Sequence, residues 1–168
     1  PATGNSNRGR MPYQVELIKA MPCWASIGRE IICVHDAPVP VADCGYVRST
    51  SVAARVLTAM SDQWCLVGHT HIPAVFALSN GASESAVRRI VPFPKDTIRL
   101  RPETRYLLNP GSVGQPRDGD WRASWAILDI EYGSFSLERV AYEVSEVQSA
   151  INSAGLPAVL GARLRIGA

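Results

Sequence analysis

No run of apolar residues in this chain approaches the ~20 needed to cross a bilayer as a helix. The greasiest segments, around Ile31 and Leu66, are strand-length and end in polar loops, which excludes a membrane as the expected partner. The first ten residues are rich in Gly, Asn and Arg and have no apolar core of the kind a secretory signal carries, so the expected location is the cytoplasm. Charge of one sign is also scarce. The formal net charge is +2, with Lys and Arg scattered between acidic residues, and without a basic stripe no nucleic-acid partner is implied. The four cysteines show no Cys-x-x-Cys spacing, and Cys33 and Cys65 lie inside apolar runs, so reduced buried thiols are expected in place of a disulfide or zinc framework. Histidine is scarcest: there are three, His35, His69 and His71.

What is present is a chain of 168 residues, 46% apolar, long enough to bury about two-thirds of its unfolded surface around one core. One domain over 1–168 is the default. Residues 11–20 predict a short amphipathic helix with Val15, Leu17 and Ile18 inward and Pro22 after it. Residues 23–27 and 30–34 predict a hairpin through Gly28-Arg29, its second strand apolar enough to be buried on both faces. The Pro-rich stretch 36–46 reads as a loop. Ser49 to Ser51 offer caps for a helix to Met60, with Val52, Val56, Leu57 and Met60 inward. Residues 64–67 form a second buried strand, and further strands are expected at 72–78, 97–100, 105–108, 122–130 and 134–142. Ser145 with Gln148 suggests a capping box on a final helix in which Val147 and Ile151 face inward. Strands that precede, follow and interleave with helices predict α/β layers around a mixed sheet.

All three histidines stand at the ends of the two buried strands: His35 directly after 30–34, and Gly68-His69-Thr70-His71 directly after 64–67. A His-x-His pair can face one ion or two, and ligands collect at the carboxyl ends of strands in open α/β sheets. Three imidazoles can hold zinc and leave a fourth position for water; they can equally be hydrogen-bonded loop side chains. Asp36 reads either as a carboxylate orienting His35 or as a solvated turn residue. In 109–118, Gly111 and Gly114 allow close backbone approach, Ser112 and Gln115 can donate, and Arg117 can pair a phosphate bidentately. The alternative is a structural loop in which Arg117 and Asp118 satisfy each other.

Three blocks, in order, carry a family resemblance. Val34-His35-Asp36-Ala37-Pro38 resembles the strand-to-histidine element of bacterial calcineurin-like metallophosphoesterases, in the phosphodiesterase and diadenosine tetraphosphatase-like branch. Gly68-His69-Thr70-His71 is similar to their Gly-His-Thr-His block, and Asn109-Pro110-Gly111-Ser112 to their Asn-Pro-Gly-Ser loop. The likeness runs from about Tyr13 to the C-terminus. It implies a layered sandwich of mixed β-sheets flanked by helices, and metal-dependent hydrolysis of phosphate esters or anhydrides through a dinuclear centre of divalent ions (Mn, Fe, Zn or Mg). His35 and His69 would serve one ion and His71 the other, with Arg117, Ser112 and Gly111 at the substrate. A phosphorylated small molecule or nucleotide is the implied substrate.

The family also supplies, from its N-terminal third, an Asp-x-His pair and a bridging Gly-Asp, neither of which occurs ahead of His35, and an Asn-His element to which Gly4-Asn5-Ser6-Asn7 has a faint likeness, with Asn5 as ligand and Ser6 in place of the histidine. Two close divalent cations need anionic oxygen between them. The expectation is therefore a domain incomplete at its N-terminal side, with that exposed side available for association. Two alternatives stand beside it: an inactive phosphoesterase-like binding or assembly subunit, and a mononuclear three-histidine zinc hydrolase.

Overall fold

The computed structural model describes residues 12–38 and 45–168. Asn5, Met11 and Cys44 lie outside the described residues. The elements in chain order are α1 (Pro12–Ala20), β1 (Trp24–Ile27), β2 (Ile31–Val34), α2 (Thr50–Ala59), β3 (Trp64–Leu66), β4 (Ala74–Ser79), β5 (Arg88–Ile90), β6 (Thr97–Arg99), β7 (Thr104–Asn109), β8 (Ala123–Asp129), β9 (Ser134–Val140), α3 (Val144–Ser153) and α4 (Ala158–Ala162).

The strands form two sheets. A six-stranded sheet runs in the order β1-β2-β3-β7-β4-β5, and a three-stranded sheet in the order β6-β9-β8. At the centre of the large sheet β2, β3 and β7 are parallel, with Ile32 opposite Cys65 and Cys65 opposite Leu107. β1, β4 and β5 pair antiparallel around them. The sheet is therefore mixed, and the small sheet is wholly antiparallel.

Alternation along the central strands decides which layer each side chain joins. Cys65, Phe76, Leu78 and Leu107 pack with Ala53, Val56 and Leu57 of α2 on one face. Trp64, Val75, Tyr106 and Leu108 pack with Phe135 and with Ile98 and Leu128 of the small sheet on the other. A helix layer, a mixed sheet and an antiparallel sheet thus share two cores, the layered sandwich that the sequence implied.

Ser49 caps α2 as expected, its hydroxyl accepting from the Val52 N–H. Several expectations fail. Leu17 and Ile18 are exposed instead of inward, and the side chain of Val15 lies outside what is described. β2 buries only Ile31 fully, because its neighbour β1 is exposed throughout and shields little. The capping box at α3 does not form: the helix begins at Val144 with Glu143 at its cap and no side-chain cap bond. Ser145 instead donates its hydroxyl to Glu143. Val147 is 38% exposed, and Val144 is the buried anchor. Among the described residues no helix is long and apolar enough to cross a membrane.

Candidate functional site

The three adjacent parallel strands end on the same edge of the large sheet, and each delivers one of the sequence blocks there. His35 follows β2, Gly68 to His71 follow β3 after one residue, and Asn109 closes β7. This is the carboxyl edge, where the topology of α/β sheets opens crevices for ligands. β4 runs antiparallel and starts three residues after His71, so its first residues lie at the same edge.

Backbone hydrogen bonds set the first two blocks together. The Gly68 N–H donates to the His35 carbonyl at 3.1 Å, and a Cβ at Gly68 would sit 3.5 Å from the His35 ring, so the histidine packs flat on the glycine. His35 Nε2 and His69 Nδ1 are 3.3 Å apart, with ring centroids at 5.1 Å. Tyr46 stacks on the other side of His69 at 4.0 Å, and Arg48 lies over Tyr46 at 4.6 Å.

His69 and His71 both adopt φ of 60°, a left-handed backbone that non-glycine residues hold only when their surroundings enforce it. The enforcing group is Asn109, only 2% exposed. Its amide donates to the Gly68 carbonyl at 2.8 Å and to Thr70 Oγ1 at 3.0 Å, and its Oδ1 accepts from the Gly111 N–H at 2.8 Å. One side chain therefore ties the histidine turn to the glycine loop.

His71 Nδ1 is 2.7 Å from the Gln115 carbonyl. A carbonyl only accepts, so Nδ1 carries the proton and Nε2 keeps a lone pair for a cation. The Arg117 N–H donates back to the His71 carbonyl at 3.1 Å, and one guanidinium nitrogen donates to Gln115 Oε1. Arg117 Nε is buried without a partner, a donor in want of an acceptor. The alternative in which Arg117 and Asp118 satisfy each other does not hold: Asp118 pairs with Arg139. Ser112 holds the loop, its hydroxyl accepting from the Gln115 N–H and its carbonyl from the Ser124 N–H. Asp36 makes no hydrogen bond to His35; its Oδ1 is buried and unpartnered.

The donor set fits a divalent cation in part. The imidazoles present nitrogen donors, but among the described residues no group of three His, Cys, Asp or Glu side chains stands close enough to hold an ion. The sequence identified the three histidines and the loop glycine, serine and arginine. It passed over Tyr46, Arg48 and the bridging role of Asn109. Only the last left a signal, an asparagine at the head of a Pro-Gly-Ser turn.

No protein-family model matches the chain. A metallophosphoesterase from Sphaerobacter thermophilus is similar in structure, with a TM-score of 0.81 at 31% identity, over 95% of this chain and 63% of that one. An uncharacterized protein of Methanocaldococcus jannaschii is 38% identical over 101 residues, 60% of this chain and 38% of that protein. A hypothetical protein of Pyrococcus horikoshii shares the fold, with a TM-score of 0.61 at 17% identity, over 91% of this chain and 54% of that one. The chain thus spans less than two-thirds of the length of each of these relatives. In fold it corresponds to part of a calcineurin-like metallophosphoesterase domain.

Proposed function

We propose that this chain supplies the nitrogen ligands and the substrate loop of a metal-dependent phosphoesterase acting on phosphate esters or anhydrides. The observation that carries the reading is the convergence at one sheet edge: His35 and His69 rings 3.3 Å apart, and a His71 whose Nε2 lone pair is left free by the Gln115 carbonyl. Imidazole donors suit zinc or iron better than manganese or magnesium. His35 and His69 would share one ion and His71 would hold a second. Divalent ions bound there would neutralise the phosphoryl oxygens and acidify a water.

The chain's own residues do the rest. Arg117 brings a buried, unpartnered Nε to the loop, suited to a phosphate oxygen. Ser112 and the Gly111 backbone shape the cradle, and Asn109 holds the histidine turn against it. Neutral imidazoles do not offset the repulsion of two cations ~3.5–4 Å apart. The bridging carboxylates must therefore come from outside the described residues, through the side of the sandwich next to His35. A cavity of about 730 Å³ lies there, between Trp24 of β1 and Trp125 of β8.

The second reading is an inactive phosphoesterase-like module that binds or assembles, and the lack of any three-residue ligand group among the described residues favours it. The same observation weighs against a single zinc on three histidines. Metal content by mass spectrometry, with hydrolysis of bis-p-nitrophenyl phosphate in added manganese, separates these readings. In protein that also contains the segment supplying the bridging carboxylates, the hydrolase reading expects bound metal and turnover that falls at least about 100-fold in His69→Ala, as for loss of an essential electrostatic group. Protein free of metal and of turnover would leave the binding module.

A further inference from the structure

A second cavity, of about 440 Å³, opens at the far side of the sandwich, between β5 at the edge of the large sheet and β6 at the edge of the small one. Three arginines line it, Arg88 from β5, Arg99 from β6 and Arg101 just after it, with Ser79 and Thr104 beside them; Arg89, next to Arg88, turns its guanidinium to the opposite face of the sheet, over Phe76. No Asp or Glu is among its lining residues. Ser79 ends β4 and Thr104 begins β7, so the cavity lies at the opposite end of β7 from Asn109. At ~3.3 Å per residue that strand separates it from the histidines by about 17 Å.

A solvated basic face is the plain alternative, and the treatment of other arginines weighs against it. Arg122 pairs with Asp120 and Arg139 with Asp118, whereas among the described residues none of these three makes a salt bridge. Three like charges around one concavity repel within the ~10 Å screening length at 0.1 M salt and focus a positive field into it. Arginine, planar and bidentate, matches phosphate oxygens in a way a lysine cluster does not. The volume falls within the ~300–1,000 Å³ of small-ligand pockets, more than one orthophosphate fills.

We propose that this arginine cavity is a binding site for an oligophosphate chain of two or three phosphoryl groups, separate from the histidine centre. The phosphate chain is read by Arg88, Arg99 and Arg101, whether it comes from a nucleoside polyphosphate or from inorganic oligophosphate.

Titration calorimetry with sodium tripolyphosphate and with ATP, in metal-free buffer, tests the site on the full chain carrying His69→Ala and His71→Ala so that the histidine centre is silent. Saturable one-to-one binding is expected, weakened at least tenfold in Arg88→Ala/Arg99→Ala and unchanged in the remote control Arg29→Ala. Circular dichroism confirms that each variant is folded. Equal affinity for the two ligands assigns the phosphate chain alone, and tighter ATP binding assigns a nucleoside source. The proposal is overturned if no saturable binding occurs, if the control weakens it equally, or if a single-stranded oligonucleotide binds with affinity that keeps rising beyond the few nucleotides the cavity can hold. The last result would make the patch a nucleic-acid surface.

Discussion

Asn109 shows how much a single side chain can hold. Its three hydrogen bonds reach Gly68, Thr70 and Gly111 from a site that is 2% exposed. Asn109→Ala leaves those groups unsatisfied and is expected to cost about 1–3 kcal/mol, read as a lowered urea midpoint at unchanged m-value; an unchanged midpoint would refute the bridging role. The residue was visible in the sequence as the head of a turn. Two of its partners were not, because Gly68 and Thr70 lie 41 and 39 positions earlier and only folding brings them near. Cys65 makes a second case. Burial, then the neighbouring Cys33 and Asp62, push its thiol up to about 12, so at pH 8 it stays protonated and unreactive. Iodoacetamide followed by peptide mapping should label exposed Cys23 and spare Cys65 in the folded protein. A thiol whose folded value is raised stabilises the fold below its ordinary pKa near 9, and that contribution is lost as the pH rises from there towards 12.

The strand ends and the loop between β7 and β8 carry the candidate chemistry, and they were the most legible elements. An apolar run that stops at a histidine, or at Asn-Pro-Gly, marks a strand exit in the sequence itself. Gly111 illustrates why that loop tolerates so little. It sits at φ of 87°, and a Cβ there would lie 2.8 Å from both Pro73 Cγ and Ser124 Oγ. Gly111→Ala is therefore expected to destabilise by more than about 1 kcal/mol through strain and collision together, measured as a drop in Tm; a neutral result would mean the loop shifts freely. Helix details were less legible. α3 takes Glu143 at its cap because Val144 is the side chain that reaches the core, and burial of that anchor outweighs a capping motif worth about 1 kcal/mol. α1 follows its predicted span, yet Leu17 and Ile18 remain exposed, since periodicity specifies a face without specifying what covers it.

The sandwich was legible as a class because its central strands alternate two apolar sets, one for α2 and one for the small sheet. The pairing order was not, since β7 enters between β3 and β4, which precede it in the chain. The arginine cavity was hidden for the same reason: its three arginines are spread from position 88 to 101 and look scattered until two sheet edges meet. Phe135, 1% exposed and packed against the large sheet, joins the layers. Phe135→Ala should cost about 3–5 kcal/mol by chemical denaturation, and a loss under 1 kcal/mol would show that the two sheets are not mutually dependent. The late insertion of β7 also bears on the order of events during synthesis. A nascent chain halted before Thr104 carries every histidine already, but no strand yet bridges the two halves of the sheet. On the hydrolase reading, ion capture would have to wait until that last central strand leaves the ribosome, and a cation added to such stalled chains should give them no shelter from proteases.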